Sequence, residues 1–249
     1  MKSILGPFIR LTLIFTLVSC GEDDSTPSTS SASENNSVTK IMPLGASRVQ
    51  GNRPTHESFR FELWKTLIQN NLTFDFIGTQ SDPGSYPTVN GQTFDTDHEG
   101  RSGWTSGEIL DGLDDWLLQT DSPDIVLFSS PGGNDALQSL PYEQAVENIN
   151  AIIDILQANN PNVTILIEQM APTHSAIMIG DLATQFDQIQ RDVITIAAEQ
   201  STSTSSVIIV DMNTGFSDSL LADLVHYNEE GARFIAARYY DALLDILDR

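Results

Sequence analysis

From residue 38 to the C-terminus the chain alternates two apolar patterns, and this alternation limits the possible folds more than any other feature. Short apolar runs predict strands at 38–44, 73–77, 124–129, 163–167 and 207–210. Between them, apolar residues recur three and four apart, as on one face of a helix. Phe59, Leu63, Trp64, Leu67 and Ile68 form one such stripe, and Ile109, Leu110, Leu113, Trp116 and Leu117 another. Ala145, Ile149, Ile152, Ile153 and Leu156 make a third, and Leu182, Phe186, Ile189, Val193 and Ile196 a fourth. Ile235, Tyr239, Ala242, Leu243 and Ile246 carry the last, with Asn228 predicted as N-cap and Glu229 and Glu230 in the first turn. The run Asp124-Ile-Val-Leu-Phe-Ser129 has the near-continuous apolar character of a strand buried on both faces. Strands alternating with helices predict an α/β class: a three-layer α/β/α sandwich around a five-stranded parallel sheet. A chain of 249 residues suits one such domain. Residues 79–104, rich in Gly, Pro, Asp and Thr, read as one long loop, which in a compact domain is usually functional.

The N-terminus reads differently. A short basic start, with Lys2 and Arg10, precedes the uncharged run Leu11-Thr-Leu-Ile-Phe-Thr-Leu-Val-Ser-Cys20. That run is too short for a membrane-spanning helix and has the length of a signal-peptide core. Leu17-Val18-Ser19-Cys20 resembles a bacterial lipobox, in which the cysteine is acylated and becomes the mature N-terminus. The other reading is a plain secretory signal, but Cys20 is the chain's only cysteine, which favours lipidation. Each buried acyl methylene would add about 0.8 kcal/mol to anchoring. The expected organisation is therefore a signal peptide over 1–19, a lipidated Cys20 with a disordered polar tether over 20–37, and one domain over 38–249. Glu22-Asp23-Asp24 resembles surface-export signals of some Gram-negative lipoproteins and equally suits a soluble linker. The expected location is the bacterial cell envelope, facing either the periplasm or the exterior.

Charge and cysteine count exclude whole classes. With 12 Lys and Arg against 34 Asp and Glu, the net charge is −22. Such a surface repels phosphate backbones, so no nucleic-acid partner is expected. One cysteine leaves no intramolecular disulfide and no thiolate cluster for zinc or iron–sulfur.

In a parallel sheet the site lies at the carboxyl ends of the strands. The first strand runs into Gly45-Ala46-Ser47, where a serine can present its hydroxyl at the rim. Asp223-Leu-Val-His226 spaces a carboxylate to reach Nδ1 of the imidazole, leaving Nε2 as a base. Gly132-Gly133-Asn134-Asp135 and Gly100-Arg-Ser-Gly103-Trp104 supply an amide side chain and a glycine N–H suited to a developing oxyanion. Each of the four has an ordinary alternative as a turn or cap. Their shared rim and complementary roles raise them together.

These four blocks resemble those of the SGNH, or GDSL-type, hydrolases. Within that superfamily the chain is most similar to family-three carbohydrate esterases, the acetyl xylan esterases. The segments Ile41-Met-Pro-Leu-Gly45, Phe59-Arg-Phe-Glu-Leu-Trp64, Phe74-Asp-Phe-Ile-Gly78, Asp97-His-Glu-Gly-Arg-Ser-Gly-Trp104 and Pro123-Asp-Ile-Val-Leu127 carry that likeness. The resemblance implies a flavodoxin-like fold and Ser47 as nucleophile, with His226 as general acid/base oriented by Asp223. It implies an oxyanion hole of the Ser47 amide, the Gly103 amide and the Asn134 side chain, and it requires neither metal nor organic cofactor. Three positions depart from the family pattern: Ala46 replaces the usual Asp of Gly-Asp-Ser, Gly133 the Thr of Gly-Thr-Asn-Asp, and Tyr227 the Pro of His-Pro. The last two preserve the chemistry-bearing side chains. Ala46 removes a buried acceptor able to hold the nucleophile loop, and the expectation is a functional enzyme with an altered loop.

His56, His98 and His174 read as loop or packing residues, and Asp95, Asp97 and Glu99 as a solvated acidic loop without calcium-hand spacing. Arg48 and Arg101, beside the candidate site residues, could hold the loops or meet an acidic substrate; pairing with the abundant carboxylates is the expectation for both. Trp104 suits either sugar stacking or core packing. Three functions are carried forward: a lipid-anchored esterase deacetylating polysaccharide, an SGNH esterase for lysophospholipid, acyl thioester or short-chain aryl ester, and a catalytically silent glycan-binding lipoprotein. The partners are thus a small-molecule or polysaccharide ester and, through the lipid, a membrane.

Overall fold

A computed structural model describes residues 38–247. The expected signal peptide, Cys20 and the expected tether lie outside those residues. The strands are β1 (Thr39–Gly45), β2 (Phe74–Phe76), β3 (Gln80–Ser81), β4 (Asp97–Gly100), β5 (Ile125–Phe128), β6 (Thr164–Gln169) and β7 (Val207–Asp211). The helices are α1 (Ser47–Gln50), α2 (Arg60–Gln69), α3 (Ser106–Leu117), α4 (Gly133–Leu137), α5 (Tyr142–Asn159), α6 (Gly180–Gln200) and α7 (Glu229–Leu247).

The sheet runs β3-β4-β1-β5-β6-β7, with β2 also beside β1. All pairings are parallel except β3 with β4. The α/β class holds, but the sheet has seven strands where the apolar runs predict five. Both extra strands come from the segment that reads as one loop. β2 pairs with the first half of β1, from Thr39 to Ile41, and β4 takes over along the second half, at Leu44 and Gly45. The sequence Asp-His-Glu-Gly of β4 has no strand-like apolar pattern; its position beside β1, where β2 has stopped, makes it a strand.

Alternation along the strands sends side chains to two cores. Met42, Leu44, Val126, Phe128, Ile165 and Ile167 face the layer of α3, α5 and α6. Ile41, Ile125, Leu127, Leu166 and Val210 face α2 and α7. The α3 start is set by a capping box, in which the Thr105 side chain accepts from the Glu108 amide and the Glu108 carboxylate accepts from the Thr105 amide. This Thr-x-x-Glu signature places the helix start ahead of the apolar stripe. Asn228 caps α7 as expected, its Oδ1 accepting the Gly231 amide at 2.9 Å. Among the described residues, no helix is long and apolar enough to cross a membrane.

Candidate active site

β1 ends at Gly45, and the chain turns at once into α1, whose first residue is Ser47. The Ser47 amide thus belongs to the first helical turn, whose N–H groups have no partner within the helix. β4 and the turn after it lie close beside α1. A side chain at Gly100 would come within 2.5 Å of the Gln50 amide nitrogen, so only glycine allows the approach.

Opposite Ser47, a loop after a single 3-10 turn (Asp218–Leu220) delivers His226. The Asp223 carboxylate organises it locally. Its Oδ1 accepts the backbone amides of Val225 and His226, both at 2.7 Å, and its Oδ2 meets His226 Nδ1 at 2.8 Å. One carboxylate therefore sets both the turn and the ring orientation. His226 Nε2 lies 2.9 Å from Ser47 Oγ. Partial burial alone would raise the Asp223 pKa, but the hydrogen bonds from His226 and Val225 outweigh it and hold the carboxyl down at about 2. It stays anionic wherever an imidazole beside it carries out acid–base chemistry.

Asn134, on α4, lines the same cavity as Ser47. Its Nδ2 donates to the Trp104 carbonyl at 2.7 Å, fixing the amide and leaving its second N–H. The turn carrying Gly103 is tied down on each side. Arg101 N donates to the Gly45 carbonyl, Ser102 N to the Gln50 side chain, and Gln138 Nε2 to the Gly103 carbonyl. Gly103 itself has φ of +82°, which favours glycine, and is exposed at the rim rather than lining the cavity. Asp135, the last residue of its block, accepts Ser106 N and Oγ and joins α4 to the start of α3. All four sequence blocks therefore meet at one rim.

Several sequence expectations change. His56 takes the packing reading rather than the loop one: it is buried and its ring stacks on that of His226, with centroids 4.0 Å apart and planes 16° apart. Burial first, then the neighbouring His226, lowers its pKa, so it presents a neutral ring. His56, Asp223 and His226 place ligand-type atoms within 4.8 Å of one another. Both His226 nitrogens are already engaged, and two stacked rings aim their nitrogens along separate parallel planes. The trio suits proton handling better than convergent metal coordination. Arg48 does not pair with a carboxylate as expected but is buried among carbonyl oxygens. Arg101 does pair with Glu99, at 2.7 Å. The acidic loop is not solvated throughout: Glu99 is fully buried, accepting the Thr79 amide and hydroxyl, and Asp95 accepts the Phe76 amide. Trp104 packs, its ring 5.5 Å from Trp116. His98 is buried, its Nδ1 accepting the Gly100 amide, and His174 accepts the Ala176 amide near Asp218. No sequence pattern announces the contacts of Arg48 or His56, because their partners lie 82 or more positions away in the chain.

Residues 45–234 match the GDSL-like Lipase/Acylhydrolase family. Among solved structures, a carbohydrate esterase family 3 protein from Talaromyces cellulolyticus superposes with a TM-score of 0.74 at 26% identity, covering 85% of this chain and 99% of that one. An acetyl esterase mutant with acetate ion gives 0.73 at 26% identity, covering 85% and 99%. A Clostridium thermocellum family 3 carbohydrate esterase gives 0.68 at 29% identity, covering 85% and 98%. No curated protein gives a significant sequence match. With the family matched over most of the domain and esterases as structural neighbours, the chain belongs to the GDSL-like lipase/acylhydrolase family and is a carboxylic ester hydrolase of the SGNH fold.

Proposed function

We propose that this hydrolase removes short acyl groups, acetyl above all, from carbohydrate esters through a Ser47–His226–Asp223 triad. The observation that carries the reading is the continuous contact from Asp223 Oδ2 through the His226 ring to Ser47 Oγ, at 2.8 and 2.9 Å. Ser47 Oγ attacks the ester carbonyl carbon while its proton passes to His226 Nε2. Asp223 stabilises the imidazolium so formed. The developing oxyanion is met by the amides of Ser47 and Gly103 and the side chain of Asn134. Collapse breaks the bond to the alcohol, which leaves with the proton from His226. Water then attacks the acyl-serine, giving its proton to the same imidazole, and Ser47 is regenerated with release of the acid. No metal or organic cofactor enters these steps. The carbohydrate assignment rests on the family 3 neighbours and the sequence segments shared with acetyl xylan esterases. The membrane anchor, through acylated Cys20, belongs to the same proposal and suits glycan breakdown at the cell envelope. Loss of fatty-acid labelling in Cys20→Ser tests it.

The deciding experiment is acetate release from acetylated xylan by the full chain, with Ser47→Ala as reference. Release that falls by a factor of about 10³ or more in the variant is expected. Equal release by both overturns the triad; none from either overturns the xylan assignment. A second reading has one observation in its favour. The cavity beside Ser47 is walled by Ala136, Leu137, Met170, Leu182 and Phe186, an apolar lining that suits an acyl chain longer than acetyl. If aryl esters of four to eight carbons outperform acetate in kcat/KM, a longer acyl group is the substrate.

A further inference from the structure

We infer that Arg48 is a positioning residue for the base: it holds the His226 loop at the distance from Ser47 that their hydrogen bond requires. The inference rests on the triad reading above. Arg48 follows the nucleophile directly and is buried. A guanidinium has five N–H donors in a fixed planar fork, and all five have an oxygen to meet. Nε and Nη2 both reach the Val225 carbonyl, at 3.0 and 2.8 Å. Nη2 also donates to the Pro172 carbonyl at 3.0 Å, and Nη1 to the Ala171 carbonyl at 2.6 Å. The remaining Nη1 contact is a long one, 3.4 Å to Ser130 Oγ.

Val225 is the residue before His226. Its carbonyl is gripped by Arg48 while its amide is gripped by Asp223 Oδ1, so the backbone leading into the base is held from both ends. The result is a closed circuit. It runs from Ser47 through the backbone to Arg48, across the guanidinium to Val225, along the backbone to His226, and back through Nε2 to Ser47 Oγ. Nucleophile and base are thus referenced to each other through one side chain, not only through the distant sheet. The fork also reaches the loop after β6, through Ala171 and Pro172, and the loop after β5, where Ser130 continues the connection: its amide donates to the fully buried Glu168 at 2.8 Å. Tyr239 on α7 donates to the other Glu168 oxygen at 2.8 Å. The Tyr227 ring lies under the guanidinium, 4.8 Å away, closing its open face. Ala46, two positions earlier, has no polar side chain with which to brace this turn, and Arg48 supplies the bracing from the other side of the nucleophile. Lysine offers a single point charge in place of the fork and cannot meet the same carbonyls at once.

The test compares Arg48→Met, Arg48→Lys, Arg48→Ala and Ser47→Ala with the full-length parent chain on p-nitrophenyl acetate, together with thermal melting. Arg48→Met is expected to lower kcat at least tenfold with KM within twofold. Arg48→Lys is expected in between, and millimolar methylguanidinium is expected to restore part of the rate in Arg48→Ala. A kcat within twofold of the parent in both Met and Lys variants overturns the inference. So does activity lost only in step with the folded fraction, with no recovery by lysine or methylguanidinium, since that pattern marks a purely structural residue. Ser47→Ala separates the two levels: if it stays active, the triad fails and the positioning role with it; if it is inert, the Arg48 outcome stands alone.

Discussion

β5 and β4 flank β1 on opposite sides, and they are built from opposite materials. β5 is Ile-Val-Leu-Phe, every residue buried. β4 is Asp-His-Glu-Gly, and three of its four residues are just as buried. On the β5 side the structure is held by area removed from water, at roughly 25 cal/mol per Å². On the β4 side it is held by closing polar circuits, with Arg60, Glu99 and His98 inside and each given partners. The first kind of stabilisation is graded, because losing a methyl costs in proportion. The second is closer to all-or-none, because one missing partner strands a buried polar group. The site is suspended between them: Asn134 follows β5, and the Gly103 turn follows β4.

The largest effect should come from Arg60, whose side chain is fully buried. It donates to the carbonyls of Val49, Gln50 and Thr96 and pairs with Asp82 at 2.9 Å. Arg60→Met leaves Asp82 with only Gly84 N and Tyr86 Oη as donors. A loss of about 3–5 kcal/mol is expected, read as the shift of the urea midpoint. Because Val49 and Gln50 belong to the helix that carries Ser47, activity in the remaining folded fraction should fall as well. A stability change below about 1 kcal/mol, the range of an exposed pair, would erase the contrast between the two sides.

His98 makes the polar side sensitive to acid. Burial, then the charges of Arg60 and Arg101, push its pKa down to about 2. The unfolded chain takes up a proton near pH 6.5, whereas the folded one does not until far lower. This contribution to stability is therefore complete above about pH 6.5 and is lost as pH falls from there toward 2, by about 1.4 kcal/mol per unit. His98→Asn keeps an acceptor for the Gly100 amide and removes the titration. The parent should lose up to about 3 kcal/mol more than the variant between pH 6.5 and 4.5, measured by urea unfolding at each pH. Parallel losses in the two chains would mean that His98 is protonated in the fold without penalty.

The same contrast explains how much of the molecule is legible in its sequence. The apolar strands β1, β5, β6 and β7 and the five long helices announce themselves through periodicity, because burial on a known face leaves a periodic trace. β4 leaves none, since its burial depends on its place beside β1 and on Thr79, twenty positions from Glu99, which no local pattern links to it. At the site, Ser47, Asp223, His226 and Asn134 are legible because each carries a distinctive side chain in a short block. Arg48 and His56 are visible as residues but not as neighbours of the His226 loop. Arg48 meets backbone carbonyls, which every residue has, so no partner type marks the contact. His56 meets another ring by stacking across the fold. Apolar patterns report facing directions; polar circuits are specified only by three-dimensional closure.

The smallest effect should be found at Ile165, in the middle of β6 and fully buried between Val126 and Val207 in the sheet register. Ile165→Val removes one methylene from the core shared by α3, α5 and α6. The expected loss is about 1 kcal/mol, the transfer energy of that group plus a small cavity term, and it should not vary with pH between 4.5 and 6.5. Hydrolysis should be unchanged, because the residue touches neither the cavity at Ser47 nor any polar circuit. Isothermal urea unfolding at both ends of that pH range is the measurement. A pH-dependent loss, or one above about 3 kcal/mol, would mean that the apolar half is itself braced by the polar one, and that the two sides of β1 unfold as a single mechanical unit rather than by separate rules.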